Sequence, residues 1–304
     1  RNEAYIFSKN QDGGGQWGQV KKLTASDGAA GDSFGISVSI DKHTAIVGAH
    51  ADDDKGTNSG STYIFSRGHG GANNWGQVRK LTASDGAADD LFGNSVSISG
   101  DTAIVGAYSD DDIGPNSGSA YIFSRDQGGA FNWGQVKKLT VSDGAAYDGF
   151  GRSVSISENK VLVSDGRDAY IFYRNKGGAD NWGQVRKIID IWSGRVSISG
   201  DTVIAGSPYA VQGTHYGAAY IYSRNEGGID KWGKVSILTA SDRAFNDEFG
   251  YSVSISGDTA IIGARGDDDG SGYDHRGSAY IFDMQVLFFP IKLENGNTAI
   301  INLE

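Results

Sequence analysis

Three acidic loops carry the strongest chemical pattern in this sequence. They read DDDKGTNSG, DDDIGPNSG and DDDGSGYDHRG, and they begin at Asp52, Asp110 and Asp267. Carboxylate and amide oxygens are the hard ligands that Ca²⁺ prefers, and adjacent carboxylates repel one another unless a cation lies among them. The alternative is a solvated turn whose Asp and Asn side chains cap backbone N–H groups. The first hypothesis predicts calcium sites with the ligands Asp52, Asp54, Asn58, Asp110, Asp112, Asn116, Asp267 and Asp269.

A second acidic set lies in the segments of the form SDGAAxD. Its members are the pairs Asp27 and Asp32, Asp85 and Asp90, and Asp143 and Asp148. These carboxylates either add oxygens to the calcium sites or shape the connection that precedes each Phe-Gly pair. The sequence favours the structural role.

Two parts of the chain depart from this pattern. An SDGRD segment (164–168) replaces one acidic loop, and SPYAVQGTHYG (207–217) replaces another. Near the second, the Phe-Gly pair is also lost, and the sequence reads IWSGRV. Either these parts have degenerated, or they build a separate ligand site from Trp192, Tyr209, His215 and Tyr216.

Catalytic patterns are missing from the sequence. The five His residues are scattered without metal-ligand spacing, and the chain has no Cys. No nucleophile elbow, which is a strand–turn–helix motif, is recognised in this β-rich sequence. We therefore predict a protein that is not an enzyme.

The acidic loops recur because the whole sequence repeats. The string Trp-Gly-(Gln/Lys)-Val begins at residues 17, 75, 133, 182 and 232. One unit contains four strand-like runs, separated by turn signals: Ser95–Ser99, Thr102–Ala107, Ser119–Ser124 and Trp133–Thr140. Four short strands in each unit of about 50 residues are typical of a β-propeller blade. The repeated Trp either packs between blades or serves as a platform for sugar stacking, and packing is favoured.

The string FGNSVSISGDTAIVGA, followed by an Asp-rich loop and GSAYIF, resembles the FG-GAP repeat, the blade unit of the integrin α-subunit head. The resemblance is strongest to the variant found in microbial surface and secreted proteins. It implies an all-β propeller located outside the cell or on its surface. In integrin-type blades the calcium loop joins the first two strands, but here that turn is only Gly100-Asp101 or its equivalents. The family's calcium site is therefore not transferred to this chain.

The repeats predict one propeller domain over residues 1–304 with six four-stranded antiparallel blades. Five of them cover about 34–82, 92–140, 150–189, 194–239 and 249–290, with DMQVLFFP (283–290) as a short or missing outer strand. The sixth is a composite that closes the ring and combines 291–304 with 4–24. Glycines such as Gly48, Gly106 and Gly263 are expected where backbones approach closely.

Composition narrows the choice of partners. The formal net charge of −10 argues against nucleic acid, and no apolar run is long enough for a membrane helix. We predict a non-catalytic extracellular or cell-surface adhesion propeller that binds a protein or glycan through its loops, with Ca²⁺ as candidate cofactor. The alternatives are a carbohydrate-binding lectin propeller and a structural surface protein that assembles with itself.

Overall fold

The computed structural model describes residues 2–9, 15–189, 191–192, 194–210, 216–268 and 276–284, together with the backbone of 290–292 and 298–300. The described residues form β-strands and turns. No helix among them has the length and apolarity that a membrane span needs.

The strands form blades of the predicted kind. Blade 1 contains β3 (Ser37–Asp41), β4 (Thr44–Ala49), β5 (Ser61–Ser66) and β6 (Gly76–Leu81). Blade 2 contains β7 (Ser95–Ser99), β8 (Thr102–Ala107), β9 (Ser119–Ser124) and β10 (Gly134–Leu139). Blade 3 contains β11 (Ser153–Ser157), β12 (Lys160–Ser164), β13 (Ala169–Tyr173) and β14 (Gly183–Ile188). Blade 4 contains β15 (Arg195–Ser199), β16 (Thr202–Ser207), β17 (Ala218–Ser223) and β18 (Gly233–Leu238). Blade 5 contains β19 (Phe249–Ser256), β20 (Thr259–Ala264) and β21 (Ser278–Asp283). The all-β propeller with four-stranded antiparallel blades is confirmed.

The predicted sixth blade is wrong, because the described strands form five blades. At the two ends of the chain, β1 (Ala4–Lys9) pairs with β2 (Trp17–Leu23), and β22 (Pro290–Lys292) pairs with β23 (Thr298–Ile300), in two separate two-stranded sheets. The strands β22 and β23 are three residues long, and Pro290 has no N–H to donate, so they offer few ladder hydrogen bonds. The predicted outer strand of blade 5 falls mostly on residues 285–289, which lie outside the described residues.

The chain divides into two compact units. The first comprises Arg1–Gly166 and Tyr170–Val185, and the second comprises Arg167–Ala169 and Arg186–Glu304. Whether the chain is a single domain stays a prediction. The acidic loops that begin at Asp52 and Asp110 both belong to the first unit.

Repeated apolar residues build the core between neighbouring blades. In the first unit, Ile46 and Ile64 of blade 1 pack in one cluster with Val96 and Ile98 of blade 2. The repeated Trp75, Trp133, Trp182 and Trp232 are buried, which confirms the packing role predicted for them, whereas Trp17 is exposed. The repeated Phe of each Phe-Gly pair is buried too, and Phe92 meets Tyr121 edge-on at 5.5 Å between ring centroids.

Alternating serines and one glycine allow the inner parts of neighbouring blades to approach closely, as the contacts between blades 2 and 3 show. The Ser95 hydroxyl donates to the Gly151 carbonyl at 2.8 Å, and the Ser97 hydroxyl accepts the Ile156 N–H at 3.1 Å. A Cβ atom at Gly106 would lie 1.9 Å from the same Gly151 oxygen, so only glycine fits there. The close approach predicted at this glycine is confirmed.

Candidate functional site

The acidic loop of blade 1, between β4 and β5, folds around the side chain of Asp52. This carboxylate is buried, although an isolated buried charge is strongly unfavourable. It accepts a hydrogen bond from the Ser61 hydroxyl at 3.0 Å, and the Tyr63 hydroxyl oxygen lies 2.8 Å from its Oδ2. The first aspartate of the triplet is thus held from inside its own blade.

A lysine from the outer strand supplies the positive charge. The Nζ atom of Lys80 in β6 lies 3.1 Å from Asp52 Oδ2, 2.5 Å from Asp54 Oδ2 and 2.8 Å from Asp27 Oδ2. Asp27 precedes the blade, in the connection that follows β2. We call Asp27, Asp52, Asp54, Tyr63 and Lys80 the lysine network of blade 1.

The network changes the proton affinity of its members. Burial alone would lower the pKa of Lys80, but hydrogen bonds to Asp27 and Asp54 outweigh it and raise that pKa above its ordinary value. Burial and the hydrogen bond to Asp52 raise the pKa of the Tyr63 hydroxyl. Both groups therefore keep their protons at neutral pH.

Blade 2 repeats the arrangement. Lys138 Nζ lies 3.1 Å from Asp110 Oδ2 and 2.8 Å from Asp85 Oδ2, and it also pairs with Asp112. The Tyr121 hydroxyl oxygen lies 2.7 Å from Asp110 Oδ2. Because Asp85 follows the outer strand of blade 1, the network ties blade 1 to blade 2.

Blade 5 has part of the network. The Tyr280 hydroxyl oxygen lies 2.7 Å from Asp267 Oδ2 and 2.8 Å from Asp242 Oδ1. The outer-strand position that would carry the lysine falls outside the described residues.

The predicted calcium ligands are brought together only in part. Asp52 and Asp54 meet at Lys80, and Asp110 and Asp112 meet at Lys138. The side-chain amide of Asn58 donates to Asp89 Oδ1 at 3.0 Å. The backbone N–H groups of Asn58 and Asn116 donate to the middle aspartates Asp53 and Asp111. Asp269 lies outside the described residues, and no group of three or more His, Cys, Asp or Glu within those residues is arranged to hold a metal. Calcium binding stays a prediction.

The second candidate set lies in the second unit. Trp192 is 54 % exposed, and the Arg167 guanidinium lies 4.9 Å from its ring centroid. Tyr209 is exposed, and the guanidinium carbon of Arg243 lies 5.9 Å from the Tyr216 ring centroid. His215 is outside the described residues. A ligand site at these four residues stays a prediction.

Two further aromatic side chains point into solvent from loops of blade 2. Phe131 is 67 % exposed and Tyr147 is 76 % exposed. Their φ angles are +58° and +69°, in the left-handed region that bulky residues rarely adopt. At the same places the other units carry Asn73, Asp180 and Asp230, and Asp89 and Asn246, which tolerate this backbone.

The repeated segments also match a known family. A family model of the FG-GAP repeat matches residues 17–65, 75–123, 133–179 and 232–282, which is more than half of the chain. The chain belongs to the FG-GAP repeat family. Each match begins at the Trp that precedes or opens an outer strand and ends in or just after the third strand of the next blade. One FG-GAP repeat therefore spans two blades, and the lysine network of blade 2 joins two successive repeats.

Solved structures with a similar fold include Hsv2 of Kluyveromyces marxianus, at 10 % identity and a TM-score of 0.47, covering 82 % of this chain and 58 % of that one. Hsv2 of Kluyveromyces lactis is similar at 10 % identity and a TM-score of 0.46, covering 76 % of this chain and 56 % of that one. The chain thus spans less than two thirds of either structure. No curated protein matches its sequence.

Sequence reasoning missed Lys80, Lys138 and their tyrosines, although the FG-GAP repeats contain a signal for them. In blade 4, Ala210 stands at the place of Asp52, and Ile237 stands at the place of Lys80. The acid and the lysine are therefore lost together. This joint loss within one chain indicates a direct partnership between the two positions.

Proposed function

We propose that this FG-GAP propeller is a non-catalytic binding protein that acts outside the cell or on its surface, with a protein or glycan as ligand. The observation that carries the proposal is the exposure of Phe131, Tyr147 and Trp192 at left-handed backbone positions. Exposed aromatic side chains are enriched in binding surfaces, where they supply large contact areas. The FG-GAP β-propeller is typically a binding scaffold.

Backbone strain strengthens this interpretation. A bulky residue in the left-handed region costs about 1–3 kcal/mol, and such strain persists where packing compensates it, as at the buried Trp75, Trp133, Trp182 and Trp232, or where it serves a function. Phe131 and Tyr147 are exposed, so packing does not compensate the strain there. The other units hold the equivalent loop positions of Phe131 and Tyr147 with Asn, Asp or Gly, at a lower cost. Selection for fold stability alone would favour those residues in blade 2 as well.

The protonation state of the polar groups in the lysine network supports a role without catalysis. Tyr63 and Lys80 keep their protons at neutral pH, because burial and the hydrogen bond to Asp52 raise the pKa of Tyr63, and hydrogen bonds to carboxylates raise the pKa of Lys80 against the opposing effect of burial. A general base or nucleophile needs a pKa near or below the working pH. These groups are therefore suited to holding the blades together.

An array of glycans and extracellular proteins tests the proposal. We expect saturable binding of the labelled wild-type protein to at least one class, and weaker binding by Tyr147→Asn or Phe131→Asp, each of which copies another repeat. Asn73→Asp is the matched control, because it exchanges two residues that the repeats already use at that position. The absence of saturable binding, or equal binding by all the variants, would contradict the proposal.

Self-assembly is the second candidate function, and the faces at the two ends of the blade series support it. Ile261 and Ile281 of blade 5 are 45 % and 73 % exposed, whereas their equivalents Ile104 and Ile122 in blade 2 are 0 % exposed. Val38 and Ile40 of blade 1 are exposed too, whereas the equivalent Val96 and Ile98 are buried. Within the chain, the two equivalent faces pack on each other where blade 1 meets blade 2, because Ile46 and Ile64 of blade 1 share one cluster with Val96 and Ile98 of blade 2. A second copy therefore offers the complementary surface, and the contact is heterologous.

Light scattering across a range of protein concentrations tests this second function. It predicts oligomers whose mass grows with concentration and which Ile281→Lys dissociates. Ile229→Lys, at another exposed isoleucine, is the control and leaves the oligomers intact. A species with the mass of one chain at every concentration would contradict self-assembly.

A further inference from the structure

A groove between blades 1 and 2 has no counterpart of its size at the next blade boundary. It has a volume of about 620 Å³, and its rim includes His43, His69, Phe131 and Arg125. Ile64, Val78 and Trp133 contribute apolar lining. Both blades belong to the first unit, and the volume is in the range of small-ligand pockets.

The equivalent groove between blades 2 and 3 provides the comparison. It is lined by the corresponding residues, among them Ile122, Val136 and Trp182, but its volume is only about 120 Å³. There Asp180 takes the place of Phe131, and Arg174 takes the place of Arg125. The larger groove is therefore a departure from the repeat rather than a general property of the blade.

The departure begins at one side chain. In the other repeats the arginine Nε–H donates to the residue at this loop position: Arg67 to Asn73 at 2.5 Å, Arg224 to Asp230 at 2.5 Å, and Arg174 to Asp180. Phe131 has no acceptor to offer. Arg125 pairs with Asp101, as Arg224 does with the equivalent Asp201, and also with Asp126. Its guanidinium carbon lies 5.3 Å from the Phe131 ring centroid.

Polar groups without protein partners line the same groove. Within the described part of the chain, the imidazoles of His43 and His69 and the hydroxyls of Thr44 and Ser66 make no side-chain hydrogen bond. The backbone of both histidines is fixed, since His43 O accepts the Arg67 N–H and the His69 N–H donates to Ser66 O. The groove thus presents four hydrogen-bonding side chains on an ordered frame.

We propose that this groove binds a hexopyranose unit of a glycan. A pyranose has an apolar face that can pack on the exposed ring of Phe131 and hydroxyls that can both donate to and accept from His43, His69, Thr44 and Ser66. Arg125 is neutralised by Asp101 and Asp126, so the groove suits a neutral sugar better than an anion. The proposal rests on the binding function above and names the class of its ligand.

Phe131→Asp is the decisive variant, because it copies the residue of blades 3 and 4 and gives Arg125 an acceptor. We expect it to raise Tm by about 2–4 °C through relief of the left-handed strain, which shows that the variant is folded. It is also expected to weaken the binding of methyl hexopyranosides by at least roughly tenfold in calorimetric titration, as the loss of the stacking ring implies. Asn73→Asp, at the equivalent loop of blade 1, is the control and leaves sugar binding unchanged.

Two results would overturn the proposal. One is that no gluco-, galacto- or mannopyranoside binds the wild-type protein at concentrations up to tens of millimolar. The other is that Phe131→Asp, once shown to be folded, binds the sugars as the wild type does. If the array above finds a protein ligand that depends on Tyr147 while no sugar binds, the groove proposal fails and the binding function stands.

Discussion

The ammonium nitrogen of Lys80 lies 3.1 Å from the buried Asp52 carboxylate, at the point where the outer strand of blade 1 crosses its acidic loop. Asp54 and Asp27 meet the same ammonium. The lysine thus joins its own strand β6 to the acidic loop and to the connection that follows β2. The arrangement recurs at Lys138 and Asp110 in blade 2.

Removal of the lysine should destabilise the fold. Lys80→Met leaves the buried Asp52 without its cation, and loss of one partner of a buried ion pair costs about 3–5 kcal/mol. Urea unfolding measures the change. Lys22→Met is the control: Lys22 has the equivalent position in β2 but pairs with Glu3 nearer the surface, where a salt bridge contributes about 0–1 kcal/mol. Equal losses in the two variants would contradict the role assigned to the network.

A double-mutant cycle should show that Asp52 and Lys80 act as a pair. Blade 4 has Ala210 and Ile237 at these positions, so Asp52→Ala with Lys80→Ile copies a combination that the chain already uses. We expect the double variant to be more stable than Lys80→Ile alone, with a coupling energy of about 1–3 kcal/mol. Additive losses would contradict a direct partnership.

Asp90 should make stability depend on pH. Burial, followed by the charges of Asp110 and Asp111, raises the pKa of its carboxyl from 3.8 to about 6, against the opposing effect of the Ala87 N–H. The folded state therefore binds this proton more tightly than the unfolded state does. The resulting stability is complete below pH 3.8 and is lost as pH rises through 6.

Asp90→Asn tests this sign, since an amide oxygen can still accept the Ala87 N–H. We expect the variant to exceed the wild type by about 2 kcal/mol in free energy of unfolding above pH 7, and to match it near pH 4. Urea unfolding across this pH range measures the difference. A variant that is less stable than the wild type at pH 8 would contradict the assignment.

Calcium at the predicted ligands would compete with lysine. Asp52 and Asp54 already contact Lys80, so a bound Ca²⁺ must share or displace that ammonium. We predict that metal-free Lys80→Met, at a temperature where it is folded, binds Ca²⁺ more tightly than the wild type in calorimetric titration. Tighter Ca²⁺ binding by the wild type would contradict this prediction, because the ion would then not compete with Lys80 for Asp52 and Asp54.

The blades were predictable from the sequence, because each strand either alternates apolar and polar residues or is almost entirely apolar, and repeated turn residues separate the strands. Strand alternation gave the wrong face for the lysine, because β10 has a bulge between Gln135 and Lys137. Simple alternation puts Gln135, Lys137 and Leu139 on one face, whereas the bulge places Lys138 directly opposite Tyr121 and beside the acidic loop. Only the backbone pairing reveals that shift.

The groove was missed for a different reason. Comparison of the repeats shows Phe131 in place of Asn or Asp, but the sequence alone does not show that this position has φ of +58°. Nor does it show that the arginine six residues earlier loses its acceptor. The substitution acquires meaning only with the backbone angle and the contacts of Arg125.

The central claim is that the repeated residues hold the fold while a departure at Phe131 binds a ligand without transforming it. Saturation-transfer difference NMR of a methyl hexopyranoside with wild type and Phe131→Asp tests this most directly. The account predicts transfer to the sugar ring protons from the wild type, little from the variant, and an unchanged sugar spectrum after a day. Equal transfer from both proteins, or new anomeric signals that mark turnover, would contradict it.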